Sequence, residues 1–534
     1  MRKKRASDST YCGHSIAPIQ KGLPKRVPSI CPECIRVIPA RLFEEEGRVM
    51  MEKTCPQHGY FKDIYWSDVD LYLKAEKWFF SDGRGLENPM SEAKTCPQDC
   101  GLCQMHTSHT ALGNIDLTNR CNMKCPICFA SSDASGYIYE PSYEEVVEML
   151  KVFRQMRPVA GRTIQFSGGE PTLHPRLFDI LRAAEDLGFS HIQMATNGLL
   201  FAQDPEFSQK CEEAGLDCIY LQFDGLSDEV YVKTRGRRLA EIKQKAVENI
   251  AQTDMKIALV PTIVKGINDQ EVGNIVRYAI RYRETISGIS FQPVAFTGRI
   301  DHEERMARRF TLTDLAHSVE DQTGITKASR DWYPLSCVVP FTHLVGATRG
   351  EETINITCHP HCGFGTYLFI DYNGKATPIT EFMDVEKMLP AMNKIAQKTK
   401  PTGITFFGKL KAFRTLHKYF DVKNSPEGLD FHKLLLTLEG MINKNVGRGE
   451  EGKKTFRTMM VAGMHFMDGY NYELQRVSRC VIHFATPEGR LYPFCTYNSG
   501  PYHRARVERQ FAKSNAEWRK TLAEAREVAL QAGG

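Results

Sequence analysis

Three cysteines, Cys121, Cys125 and Cys128, stand at C-x3-C-x2-C spacing directly after a strand-like segment, Gly113 to Thr118. Thiolates spaced this closely suit a four-iron cubane, and three of them leave one iron without a protein ligand. An open iron is a place for chemistry, much as an open position separates catalytic from structural zinc. About 40 residues on, Phe166-Ser-Gly168-Gly169-Glu170-Pro171 follows the next strand. Glycine lets backbone approach a ligand closely, and a carboxylate beside it can accept from an ammonium group.

The chain carries 17 cysteines. Most lie in tight clusters, which in a reducing compartment read as metal ligands rather than disulfides. Cys12, Cys31, Cys34 and Cys55 occupy the first 60 residues, and Cys31-Pro-Glu-Cys34 with Cys55-Pro-Gln-His58 forms a two-knuckle pattern for zinc or mononuclear iron. The four ligands are either three cysteines with His58 or four thiolates with Cys12. Four thiolates are favoured, because soft sulfur suits either metal. Cys96, Cys100 and Cys103 repeat the C-x3-C-x2-C spacing, but no βα pattern of their own follows. With Cys337, Cys358, Cys362, Cys480 and Cys495 they make eight thiols, enough for two auxiliary four-iron clusters; the pairing is left open. Cys211 and Cys218, at a helix end and the strand after it, read as small core hydrophobes. Low-potential clusters imply an anaerobic cell.

Positioning these groups is the task of alternating strand and helix patterns between Leu112 and about Pro293. Strands are expected over 114–117, 163–166, 191–195, 218–223, 257–263 and 289–292, with helices such as 143–156 and 175–187 between them. Repeated βα units mean a parallel sheet with helices outside. Ligands gather at the carboxyl ends of such strands, where Thr196-Asn197, Gln222, Asp224 and Val264–Asn268 fall. The expected fold class is α/β: a partial (β/α)6 TIM-like barrel, with an N-terminal metal-binding domain and a C-terminal auxiliary iron–sulfur domain. The divisions expected are 1–105, cysteine-rich; 106–300, barrel; 301–505, auxiliary clusters and substrate with a helical insert; and 506–534, a charged helical tail, the whole stretch from Arg504 to Ala532 reading as a solvated helix. Residues 444–454 read as a mobile loop. A net charge of +5 argues against a nucleic-acid partner. No apolar run of ~18 residues suggests a membrane span. The basic start lacks the apolar stretch of a secretory signal, so a cytoplasmic location is expected.

The cysteine triad with the following aromatic Phe129, and the Gly-Gly-Glu-Pro segment after the next strand, resemble the radical S-adenosylmethionine (SAM) superfamily. The resemblance implies that SAM chelates the open iron through its amino and carboxylate groups. It further implies that Gly168, Gly169 and Glu170 bind the amino group, that Thr196, Asn197, Gln222 and Asp224 contact the ribose and methionine parts, and that 264–268 lies near adenine. Cluster reduction then splits SAM into methionine and a 5′-deoxyadenosyl radical able to abstract hydrogen from unactivated carbon. Cys358-His-Pro-His-Cys-Gly363, Pro378-Ile-Thr380, Arg479-Cys480-Val-Ile-His483 and Pro493-Phe-Cys495-Thr-Tyr-Asn498 look like the archaeal tetraether lipid synthase family and its relatives, some of them labelled pterin methylases.

That resemblance implies three [4Fe-4S] clusters, one mononuclear Fe or Zn, and a low-potential reductant such as ferredoxin. The implied reaction joins two sp3 carbons of isoprenoid chains on a diether phospholipid, the first carbon radical waiting on an auxiliary cluster. Peripheral contact with the inner face of the membrane is expected, and Phe406–Phe420 has the pattern of a basic amphipathic helix. A surface helix with a buried stripe has the same pattern. The alternatives are a radical SAM methyltransferase acting on a pterin or other small molecule, and a non-catalytic iron–sulfur electron carrier.

Overall fold

The computed structural model of the chain describes residues 10–11, 14–15, 19–80, 86–128, 130, 136–296, 301–350, 352–398, 406–440, 456–514, 516–518 and 520. Cys12, Phe129 and the 444–454 segment lie outside them. An antiparallel ribbon comes first. Its strands β1 (Lys25–Ile30), β2 (Val37–Glu45), β3 (Arg48–Cys55) and β4 (Gly59–Trp66) pair in that order. In β2, Ile38, Ala40 and Leu42 point inward while Pro39 and Arg41 are exposed, the period-two pattern of a half-buried strand. Helix α1 (Val69–Lys77) starts at Asp68, whose carboxylate accepts from the Asp70 and Leu71 N–H groups at 2.8 and 3.0 Å.

The parallel strands follow: β5 (Leu112–Thr118), β6 (Thr163–Gly168), β7 (His191–Thr196), β8 (Cys218–Gln222), β9 (Lys256–Val260) and β10 (Ile286–Pro293). They are hydrogen-bonded in chain order. Between them run α2 (Tyr143–Arg154), α3 (Leu177–Asp186), α4 (Leu199–Gln203), α5 (Pro205–Glu213), α6 (Asp228–Arg235), α7 (Ala240–Ile250) and α8 (Val272–Arg281). The Ser142–Glu145 capping box opens α2, and Gly236 closes α6 at φ +77°.

The sheet does not stop at six strands. β11 (Gly363–Asp371), β12 (Phe456–Met464), β13 (Ile482–Ala485) and β14 (Leu491–Pro493) all join it. β12 pairs parallel with β10, Gly288 opposite Met460, and β13 pairs parallel with β5, Ile482 opposite Leu112. Eight consecutive strands therefore run parallel, and the region past residue 301 supplies both outer ones. β11 and β14 add antiparallel neighbours to β12 and β13. The expected six-strand barrel with a C-terminal domain beside it is thus corrected: the C-terminal strands extend the same sheet at both edges. One apolar core runs through it, including Leu42 and Trp66 of the ribbon, Ile164 and Ile257 of the inner strands, and Val461 of β12.

Two further expectations change. The tail is not solvated where it begins. In the helix His503–Gln510, Arg504 is buried and reaches Asp116 of β5 at 2.5 Å and Glu508 at 3.2 Å. In the helix Phe406–His417 the described end of the apolar stripe packs against protein. Leu416 is buried among Met392, Leu434 and Phe431, and Phe413 meets the Phe431 ring at 5.1 Å. At Phe413 and Leu416 the stripe is covered by neighbouring helices. Among the described residues no helix is long and apolar enough to cross a membrane.

Candidate active site at the carboxyl ends of the strands

The loop carrying Cys121, Cys125 and Cys128 leaves the end of β5. Arg120 anchors its start, donating to Glu140 Oε2 at 2.9 and 2.6 Å and to the Leu173 carbonyl at 2.8 Å. All three thiols are free and half-buried. Burial pushes the Cys121 thiol up to about 12, with Glu170 and the other two thiols adding to the rise. Burial raises Cys125 as well, against the pull of Arg235. Three free thiols crowded in a half-apolar loop favour a bound cation that deprotonates them, which is what iron does. The donor set fits a cubane with one open corner.

At Gly168 and Gly169 it is the chain's own backbone that approaches closely. A Cβ at Gly168 would lie 2.2 Å from the Thr118 carbonyl oxygen, and one at Gly169 2.2 Å from that of Arg120. The Gly169 N–H donates to Thr118 O at 2.7 Å and the Glu170 N–H to Arg120 O at 2.8 Å. The glycines, Gly168 at φ +130°, let the backbone after β6 lace onto the start of the cysteine loop.

Glu170 is buried beneath this seam. Its Oε1 accepts from the Thr172 and Thr196 hydroxyls at 2.7 and 2.8 Å, and its Oε2 from the Asn197 N–H at 2.9 Å. Burial raises its carboxyl above the ordinary range, and these donors partly offset the rise. Asn197 Nδ2 donates to Asn122 Oδ1 at 2.7 Å, tying the end of β7 to the cysteine loop.

Two cations that the sequence reading missed complete the floor. Lys243 of α7 donates to the Asn197 carbonyl at 2.5 Å and to Gln222 Oε1 at 2.7 Å, and burial lowers its ammonium to about 7. Arg235 of α6 forks onto Asp224 at 2.6 and 2.9 Å and donates to the Ile127 carbonyl, between Cys125 and Cys128, at 2.7 Å. Burial works against the Asp224 charge, yet Arg235 overrides it and holds the carboxyl below its ordinary value. Asp224 is thus spent on fixing Arg235 and the Thr262 N–H. Asn268 is also engaged, donating to the Asp224 and Thr262 carbonyls at 3.0 and 2.8 Å. The usable signal for Arg235 was its place in Lys-Thr-Arg-Gly at a helix end, after the third strand on from the triad's own.

Elsewhere, Cys31, Cys34, Cys55 and His58 bring ligand atoms within 4.8 Å of one another. Their set is three thiols and one imidazole; Cys12, the fourth thiol of the other reading, lies outside the described residues. Among the described residues the fourth ligand is His58, with Nδ1 at 3.6 Å from Cys31 Sγ and 3.5 Å from Cys55 Sγ. The tight β3–β4 turn places it there, Cys55 pairing with Gly59.

Cys96, Cys100 and Cys103 line a separate loop, where the Thr496 hydroxyl meets Cys100 Sγ at 3.6 Å. Burial raises the Cys358 and Cys480 thiols, and the charges of Cys358, Cys362, Cys480 and Cys495 act on one another there. Arg476 donates to Cys362 Sγ at 3.4 Å. Cys337 stands apart, packed with Trp78, Tyr333 and Leu389. The eight-thiol allocation therefore loses a member: seven thiols fall in the two groups. Cys211 and Cys218 are buried.

Comparison with known proteins agrees with this geometry. Residues 115–279 match the radical SAM superfamily and residues 23–67 match the HMPTM N-terminal zinc ribbon domain. A 7,8-dihydro-6-hydroxymethylpterin dimethyltransferase of Methanocaldococcus jannaschii is 41% identical over 500 residues, 93% of this chain and 97% of its own length. A GTP 3′,8-cyclase of Limosilactobacillus fermentum is 25% identical over 41% of this chain and 63% of its own length. Among solved structures, Streptococcus suis SuiB matches 40% of this chain and 46% of its own, at 16% identity and a TM-score of 0.33. The tetraether expectation does not survive the first of these relatives, which is named for methylating a pterin. The isoprenoid phospholipid, the membrane contact and the ferredoxin are withdrawn with it as partners. At that identity and coverage, the chain belongs to the radical SAM superfamily and, within it, to the family of the M. jannaschii dimethyltransferase.

Proposed function

We propose that this chain methylates a dihydropterin by radical SAM chemistry, replacing carbon-bound hydrogen with methyl groups. One observation carries the reading: 41% identity along nearly the whole of a relative named for that activity. The geometry is compatible with it at each station of the loop. Cys121, Cys125 and Cys128 would hold a [4Fe-4S] cluster, whose open iron, with SAM bound, supplies a 5′-deoxyadenosyl radical for hydrogen abstraction. The chain's own groups then have defined work. Glu170 Oε2 takes one donor from this chain and keeps capacity for another, a SAM ammonium, since a carboxylate offers about four acceptor sites. Arg235 fixes the backbone between two ligands. Lys243 orders Asn197 and Gln222 from beneath the site.

The test is direct. Anaerobically reconstituted protein is supplied with SAM, a chemical reductant and 7,8-dihydro-6-hydroxymethylpterin. Mass spectrometry should find the pterin gaining first one and then a second methyl, with Cys125→Ala giving neither. A pterin returned unchanged while SAM is cleaved overturns the substrate. Intact SAM beside a reduced cluster overturns the chemistry.

A further inference from the structure

The segment Cys358-His359-Pro360-His361-Cys362 leads directly into β11. Its cysteines belong to the thiol group around Arg476. Its histidines do not. One ligand atom each from His359, His361 and Glu473 lie within 4.8 Å of one another, and all three residues are buried. His359 Nε2 is 3.6 Å from Glu473 Oε1. Both ring nitrogens of His361, a side chain with no exposed surface, lack a hydrogen-bond partner. Burying two unsatisfied polar atoms is costly unless something answers them. The nearest carboxylate oxygen, Glu76 Oε1, stands 3.7 Å from His361 Nε2, too far to do so.

We propose that His359, His361 and Glu473 bind a divalent first-row transition-metal ion, a nitrogen–oxygen centre separate from every thiolate centre of the chain. Two imidazoles and one carboxylate suit zinc or iron(II) and leave coordination positions open. The surroundings have the form of an outer shell. The Tyr65 hydroxyl donates to Glu473 Oε2, which holds the other oxygen toward His359. Tyr72 stacks on His361 at 4.1 Å between ring centroids, fixing the ring plane. Lys25 and Arg476 are cations near both rings.

Those two cations are already committed. Lys25 pairs with Glu76, and Arg476 donates to the His465 carbonyl and to Cys362 Sγ. Metal at His359 Nε2 puts that ring's proton on Nδ1, whose present contact with the His361 N–H is long, at 3.4 Å. The site joins three parts of the chain: Tyr65 and Tyr72 come from the ribbon and α1, the histidines from the lead into β11, and Glu473 from the turn after β12. The inference holds whatever the substrate is.

Cobalt(II) is the probe. Full-length protein with its iron–sulfur clusters assembled and its ribbon filled with zinc is titrated with Co2+ under anaerobic conditions. The expected result is one bound Co2+ per chain with weak visible bands and no thiolate-to-cobalt charge transfer. His361→Ala should lose it. Glu473→Gln, which keeps an oxygen for Tyr65, should weaken it by at least about tenfold. Cys34→Ser, in the ribbon, should leave it intact. Cluster absorbance reports whether each variant is folded. If His361→Ala loses that absorbance, the ligand spectrum of cobalt in the parent protein decides by itself. No bound cobalt, cobalt with sulfur ligands only, or equal binding in the parent and a folded His361→Ala overturns the site.

Discussion

Glu170 shows how a single side chain can organise a site before any ligand arrives. Its carboxylate gathers the hydroxyls of Thr172 and Thr196 and the N–H of Asn197, so the turns after β6 and β7 both depend on one buried side chain. Glu170→Gln turns one acceptor into a donor facing those same groups. Hydrogen bonds to a charged group contribute about 1.5–3 kcal/mol, so SAM binding should weaken by roughly ten- to a hundredfold. Anaerobic equilibrium binding checks this, and unchanged affinity would remove Glu170 from the site. The residue was legible in the sequence because Gly-Gly-Glu-Pro follows the triad at a fixed interval. Lys243 and Arg235 were not: a lysine in a helix and an arginine at a helix end are ordinary surface residues until the fold turns them inward.

At the scale of the element, the seam between the cysteine loop and the strand end after β6 matters most. Its glycines were readable as glycines that something approaches closely. What approaches is backbone, at Thr118 and Arg120, and no local pattern distinguishes that from a ligand. Gly169→Ala forces a methyl group against a carbonyl oxygen 2.2 Å away. Overpacking of this kind costs about 1–3 kcal/mol, and here the strain falls on the loop that holds the cluster. The expected outcome is reduced iron loading at the triad with the ribbon's metal content unchanged, read by metal analysis of the purified protein. The ribbon itself was half legible. Its knuckle spacing was plain, while the approach of His58 to the three thiols comes from the β3–β4 turn, whose geometry Pro-Gln-His-Gly does not advertise.

At the scale of the whole molecule, two late strands close both edges of the inner parallel sheet. The inner strands were evident from alternating βα patterns, but the outer pair was not. β13 has four residues, too few for a periodic signal, and both outer strands find partners far away in sequence. Cys337 misled the cysteine arithmetic for a related reason, since counting thiols says nothing about which of them meet. Arg504 illustrates the closure energetically. It sits buried against Asp116 of β5 and Glu508, with two further bonds to Asn498 Oδ1 at 2.9 and 2.8 Å. Arg504→Met would leave Asp116 buried without its counter-charge. Removing one partner of such a pair typically costs about 3–5 kcal/mol, and denaturant unfolding should report a loss of that size. A loss under about 1 kcal/mol, the range of surface pairs, would mean that the tail does not brace the barrel.

The pairing of β13 with β5 also sets a clock for biosynthesis. Roughly 360 residues separate Thr118 from Ile482. A ribosome extending the nascent chain by about 5–20 residues per second takes roughly 20–70 s to deliver the covering strand. Through that interval the free edge of β5 offers unpaired N–H and C=O groups to any strand that drifts by, with the cysteine loop at its end. A cluster assembled on that loop before residue 482 is made would sit beside an open strand edge.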